Sequence, residues 1–159
     1  MFSVFLLLGS NLGHRQLLLQ EAVAGIGHNV GTIVKQSSVY ETQAWGKTNQ
    51  PDYLNQVVIV KTNLAPREVL KSILQIELNM GRERKEKWGE RIIDIDILFY
   101  EDMIINEADL VIPHPELQNR RFTLAPLAEI APDWVHPALN KSMFALNFAL
   151  QDCLIVKKL

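Results

Sequence analysis

The chain has 159 residues, 48% hydrophobic and 21% charged, with 16 basic against 18 acidic side chains for a net charge of −2. That is ordinary globular usage for about one domain, so a collagen, a coiled coil and a disordered tail are excluded. The overall charge attracts neither nucleic acid nor anionic lipid, and no apolar run approaches the roughly 20 residues needed to cross a bilayer.

The apolar run from Phe2 to Leu8, bounded by Gly9-Ser10-Asn11, reads as a central strand buried on both faces. It lacks a basic n-region and a small-residue cleavage site, so it does not read as a signal peptide. The lone Cys153 cannot form an internal disulfide, which points to a reducing cytoplasm. Leu19, Val23 and Ile26 recur at helical spacing, predicting an amphipathic helix over 14–26 that Gly25 and Gly27 end. A second strand is expected within 31–42 and a third over 53–62, with the loop between them punctuated by Gly46 and Pro51. Pro66 opens a second helix, Val69, Ile73, Ile76 and Met80 form its buried stripe, and Gly81 stops it. A fourth strand follows over 92–100, then a hairpin over 103–111, a short helix over 125–130 and a late one over 142–150. This β-α-β-β-α-β order predicts a ferredoxin-like α+β sandwich, one domain over 1–159, with helices on one face of an antiparallel sheet. The other face is left for function.

The fourth strand carries the clearest chemical signal. In Ile92-Ile93-Asp94-Ile95-Asp96-Ile97-Leu98-Phe99, alternation turns Ile93, Ile95, Ile97 and Phe99 one way and Ile92, Asp94, Asp96 and Leu98 the other. Asp is depleted in strands, and two carboxylates on one apolar face repel unless a cation joins them. Oxygen-only ligands favour Mg²⁺ or Mn²⁺, and a Mg²⁺ held by two carboxylates keeps positions free for a nucleotide's phosphates. Directly upstream, the 82–91 segment packs five cations and Trp88 between Gly81 and the strand. Such a segment can close over a polyphosphate. Tyr53 and Asn55 share a strand face, where a ring can stack on a flat heterocycle and an amide can read its edge. Gly46-Lys47-Thr48 is not a Walker A loop, because Glu41 stands where its first glycine belongs.

Lys87-Trp88-Gly89-Glu90-Arg91-Ile92-Ile93-Asp94-Ile95-Asp96-Ile97-Leu98 resembles the signature of the 6-hydroxymethyl-7,8-dihydropterin pyrophosphokinase family. Leu8-Gly9-Ser10-Asn11-Leu12, Gln50-Pro51-Asp52-Tyr53-Leu54-Asn55, Ile112-Pro113-His114-Pro115 and Asn119-Arg120 with Phe122 fall in the same order. The resemblance implies a ferredoxin-like fold and transfer of the β,γ-diphosphate of ATP to the hydroxymethyl group of the dihydropterin, releasing AMP, in folate biosynthesis. It implies that Asp94 and Asp96 bind two Mg²⁺ ions. Asn55 would hydrogen-bond the pterin between Tyr53 and Phe122, with Thr42 lining the pocket and Trp88 closing over it. Arg82 and Arg91 would act from a mobile catalytic loop, and Glu77, Arg84, His114 and Arg120 would contact ATP. A base role for Asp96 stays open.

Gln43-Ala44-Trp45 departs from the family's usual prolines and leucine, and Asp109 stands where some relatives carry an arginine that Arg121 could replace. The rivals are a single-stranded RNA-binding sheet, which lacks its aromatic motif here and would set two aspartates against phosphate, and another Mg²⁺-dependent nucleotidyl or phosphoryl transferase. The expected partners are small molecules, with no nucleic acid and no membrane, and the expected state is a cytoplasmic monomer.

Overall fold

The computed structural model describes residues 1–42, 52–81, 92–151 and 156–159. In chain order these form β1 (Phe2–Ser10), α1 (Arg15–Asn29), β2 (Thr32–Gln36), β3 (Tyr40–Thr42), β4 (Tyr53–Thr62), α2 (Pro66–Asn79) and β5 (Asp94–Tyr100). Then come the hairpin strands β6 (Ile105–Glu107) and β7 (Leu110–Ile112), α3 (Arg121–Ile130), α4 (Met143–Ala149) and β8 (Val156–Lys158). The main sheet runs β5-β1-β4-β3-β8, with β2 also on β4, and every pairing is antiparallel. This is the expected ferredoxin-like order, with the second strand broken into β2 and β3.

The long apolar β1 lies between β5 and β4, and from Ser3 onward all of it is buried. Its even-numbered residues Val4, Leu6 and Leu8 face α1 and α2, meeting Leu19, Ala22 and Ile26 from the first helix and Val69, Ile73 and Ile76 from the second. Burying a side chain of this size contributes about 1.5–3 kcal/mol each, so this layer dominates the stability of the fold. Pro66 sits in the first turn of α2, where its missing N–H costs nothing, and Glu68 accepts the backbone N–H of Ala65 at 2.9 Å.

Several expectations are corrected. Helix α1 passes through both glycines and ends at Asn29. A Cβ at Gly25 would stand 3.3 Å from Cγ2 of Ile76, so this glycine serves the close approach of two helices rather than a stop. Helix α3 starts at Arg121, earlier than the apolar pattern indicates, and β8 has no counterpart in the sequence reading. The second sheet face is also not left open. Phe5, Leu7, Val57 and Ile59 pack there beneath Leu117, Leu124, Leu127 and Met143, so α3 and α4 cover the middle of it. Finally, Phe5 pairs with Phe99 while Leu6 pairs with Ile97, which leaves Leu98 as an extra residue on β5. That bulge breaks the alternation, and Phe99 joins Leu98 in the α3 and α4 layer instead of facing α1 and α2.

Candidate active site

The register of three strands builds the site. Gly9 on β1 lies opposite Asp94 on β5 and opposite Asn55 on β4, and Asn55 lies opposite Tyr40 on β3. Leu7, two residues back on the same face, lies between Asp96 and Val57. Directly paired side chains in a sheet project to one side. Asp94, Asp96, Asn55 and Tyr40 therefore share the face covered further along by α3 and α4. Asp94 and Asp96 are half-buried, and strand spacing puts them about 6.7 Å apart along the chain. Asn55 is buried. A Cβ at Gly9 would stand 3.0 Å from Asn55 Oδ1. The missing side chain thus leaves room for the amide between the two flanking strands.

Thr42 and Tyr53 pair one step further out on the same face. The Thr42 hydroxyl is buried and has no hydrogen-bond partner among the described residues. A buried hydroxyl without a partner costs of order 1–3 kcal/mol, so an occupant able to hydrogen-bond there would recover free energy. Arg15, at the start of α1, donates to Glu41 at 3.4 Å and to the Asp52 carbonyl. It thereby ties together the two ends of the 43–51 segment.

The outer edge of β5 is held by polar contacts rather than by another strand. The Ile95 N–H donates to Glu77 Oε2 at 2.8 Å, and the His114 N–H donates to the Leu98 carbonyl at 3.0 Å. Glu77 is only 2% exposed, and its Oε2 is held against the strand bearing the carboxylates. At the inner edge, the Ser10 hydroxyl donates to the Ile92 carbonyl. These bonds set where Asp94 and Asp96 begin.

His114 Nδ1 accepts the Glu116 N–H at 3.1 Å, which places the neutral ring's proton on Nε2. Burial lowers its pKa below the ordinary histidine range, Arg120 lowers it further, and Glu116 and Asp94 oppose them. His114, Arg120 and Asp94 are thus electrostatic neighbours. The Arg120 guanidinium lies 5.6 Å from the centroid of the Phe122 ring, a cation–π contact joining two of the sequence-predicted site residues. Among the described residues Arg120 has no ion-pair partner, so its charge is available to an anion.

Asp109, which stands where an arginine is expected, and Arg121, its expected substitute, both make contacts away from the carboxylate pair. Asp109 is held by Arg67, whose Nη1 and Nη2 lie 3.1 and 2.8 Å from its oxygens, and that bonding lowers the pKa of its carboxyl. Arg67 also bonds Glu107, so the cluster clamps the β6–β7 hairpin to α2. Arg121 donates to the carbonyls of Asn147 and Leu150 and to Asn147 Oδ1, which makes it a tether for α4. Arg82, Arg84, Trp88, Arg91 and Gln43-Ala44-Trp45 lie outside the described residues. Gly9, Arg15 and Tyr40 escaped sequence reasoning as individuals, since each is placed by cross-strand or long-range contacts that no local motif displays.

No group of three or more histidine, cysteine, aspartate or glutamate side chains that could hold a metal occurs among the described residues. The donors that share the site face are the two carboxylates of Asp94 and Asp96, oxygen ligands that suit a hard cation. Among the described residues no helix is long and apolar enough to cross a membrane.

A ferredoxin-like sandwich with a carboxylate pair, a buried amide and a flanking histidine and arginine at one end of the sheet has the donors a nucleotide-dependent transferase uses. Comparison with known proteins narrows this. Residues 5–132 match the family model described as 7,8-dihydro-6-hydroxymethylpterin-pyrophosphokinase. The chain is 46% identical over 140 residues to the 2-amino-4-hydroxy-6-hydroxymethyldihydropteridine pyrophosphokinase of Synechocystis sp., covering 87% of this chain and 71% of that one. It is 43% identical over 143 residues to the protein of the same name from Aquifex aeolicus, covering 90% and 89%. Among solved structures, the Plasmodium falciparum HPPK-DHPS protein with SDX-DHP superposes with a TM-score of 0.77 at 21% identity. That match covers 93% of this chain but only 43% of the other, so the chain spans less than half of that protein, and the likeness concerns the fold. The chain belongs to the 7,8-dihydro-6-hydroxymethylpterin-pyrophosphokinase family and is an ATP-dependent pyrophosphokinase of folate biosynthesis.

Proposed function

We propose that the chain transfers the β,γ-diphosphate of ATP to the hydroxymethyl oxygen of 6-hydroxymethyl-7,8-dihydropterin at the end of the sheet where Asp94, Gly9 and Asn55 align. The observation that carries this reading is that one cross-strand row sets a carboxylate and a buried amide on either side of a glycine. Asn55 takes the amide-like edge of the pterin, Tyr53 and Phe122 sandwich its ring, and Thr42 lines the pocket with its hydroxyl. The substrate hydroxyl attacks Pβ of ATP: an O–Pβ bond forms, the bond from Pβ to the oxygen bridging it to Pα breaks, AMP leaves with that oxygen, and the hydroxyl proton passes to water.

Such a transfer needs alignment and charge neutralisation more than a strong base. Asp94 and Asp96 would hold two Mg²⁺ ions. When bound, these neutralise the triphosphate and make the attacking hydroxyl more acidic. The Nε2–H of His114 and the guanidinium of Arg120 donate to phosphate oxygens. Glu77 steadies the strand beneath the pair on the ATP side. Arg82, Arg84 and Arg91 complete the cationic side, and Trp88 closes over the pterin.

We infer one catalytic domain over 1–159, working as a cytoplasmic monomer on small molecules and not on nucleic acid. The net charge of −2 and the carboxylates on the functional face support the last point. The test is product analysis. AMP should form from ATP only with both dihydropterin and Mg²⁺ present, and EDTA should abolish it. ADP as the product, or turnover independent of the pterin, overturns the reading.

A further inference from the structure

The row that defines the site continues past Asn55. Tyr40 on β3 lies opposite Asn55, and Lys158 on β8 lies opposite Tyr40, so the sequence across the sheet is Asp94, Gly9, Asn55, Tyr40, Lys158. Above the last two stands Glu129 of α3. Its Oε1 accepts the Tyr40 hydroxyl at 2.8 Å, its Oε2 accepts the Ser38 hydroxyl at 2.8 Å, and both oxygens lie within 3.2 Å of the Ser38 N–H. Lys158 Nζ approaches the same carboxylate at 3.8 Å. One side chain therefore binds a residue two positions before β3, the first residue of β3 and the neighbouring strand.

β3 has only three residues, and Thr42 is its last. So short a strand makes few ladder bonds of its own and depends on side-chain anchors for its position. Tyr40 is buried and pairs with the buried Asn55 on the site face, so moving it moves the cross-strand neighbour of the amide. The bonds to Glu129 are charge-assisted, the stronger kind.

We propose that Glu129 and Tyr40 are positioning residues for the pterin, the carboxylate anchoring the phenol so that Asn55 and Thr42 stand at fixed places on the pterin side. This rests on the assignment of the pterin to Asn55 and Thr42. Neither residue touches the triphosphate side of the row.

The test is steady-state kinetics and pterin binding for Tyr40→Phe, Glu129→Gln and, as a reference, Asn55→Ala, with thermal melts for each. Tyr40→Phe and Glu129→Gln should each raise the KM for dihydropterin about tenfold, equivalent to one good hydrogen bond, and leave the KM for ATP within about twofold. A fall in Tm with both KM values unchanged, or with both raised alike, makes the contact merely structural and overturns the proposal. If Glu129→Gln fails to fold, Tyr40→Phe decides alone, because it removes only a hydroxyl. A large pterin defect in Asn55→Ala with none in Tyr40→Phe rejects the positioning role while sparing the pterin assignment. An unchanged pterin KM in Asn55→Ala rejects both.

Discussion

Glu77 on α2 accepts the backbone N–H of Ile95 at 2.8 Å, and Ile95 is the residue between Asp94 and Asp96. Because β5 is the edge strand of the main sheet, that N–H has no strand partner and the buried carboxylate takes its place. Removing the acceptor leaves a buried donor unsatisfied, at about 1–3 kcal/mol. Glu77→Ala should therefore lower Tm by roughly 2–12 °C in a thermal melt. It should also raise the Mg²⁺ concentration needed for half-maximal turnover, since the strand that presents both carboxylates loosens. Glu77→Gln keeps an acceptor and should restore most of the Tm. An unchanged Mg²⁺ dependence in Glu77→Ala would confine the residue to stability.

The carboxylate pair itself is tested by isosteric change. Asp94→Asn and Asp96→Asn each remove one negative charge from a half-buried position without opening a cavity, so the fold should survive. Turnover at saturating Mg²⁺ should fall by at least about a thousandfold, because the cations that neutralise the triphosphate lose a ligand. Normal turnover in either variant would show that the pair does not seat them.

Gly9 gives a sharper probe of the pterin side. With the Asn55 Oδ1 3.0 Å from the position of an added Cβ, Gly9→Ala must push the amide aside. The KM for dihydropterin should rise at least about fivefold, of order 1 kcal/mol, with the KM for ATP little changed. Equal effects on both substrates would place the disturbance elsewhere.

His136 sets a pH dependence of stability. It is buried, its Nδ1 accepts the N–H groups of Ala138 and Leu139 at 3.1 Å, and burial lowers its pKa. A folded-state pKa below the unfolded value means the unfolded chain binds more protons as the solution acidifies. Stability is therefore full above the ordinary histidine range and declines as pH falls through about 6.5. His114 acts in the same direction. Melts from pH 7.5 to 5 should show Tm falling, and His136→Asn, which retains an acceptor without titrating, should flatten the decline. An identical slope in the variant would remove His136 from the account.

The sequence exposed what local periodicity can carry. Strict alternation in Ile93-Asp94-Ile95-Asp96-Ile97 puts both carboxylates on one face, and the structure keeps that arrangement up to Ile97. It fails at Phe99 because the Leu98 bulge is a property of the pairing with Phe5 and Leu6, invisible within β5 alone. Gly25 looked like a helix end because its partner, Ile76, lies 51 positions away. Likewise, β8 is a short polar strand that pairs along the edge of β3, and the Glu129 contacts span about 90 positions. The chemistry of the site was thus readable where it is local to one strand, and hidden where tertiary pairing creates it.

The central claim, that Asp94 and Asp96 seat the cations under the triphosphate, is met most directly by Mn²⁺ electron paramagnetic resonance. Titrations would use the protein saturated with a non-hydrolysable ATP analogue and dihydropterin. The wild-type chain should bind two Mn²⁺ per protomer, and Asp94→Asn and Asp96→Asn should each bind fewer. Two ions of undiminished affinity in both variants would contradict the account.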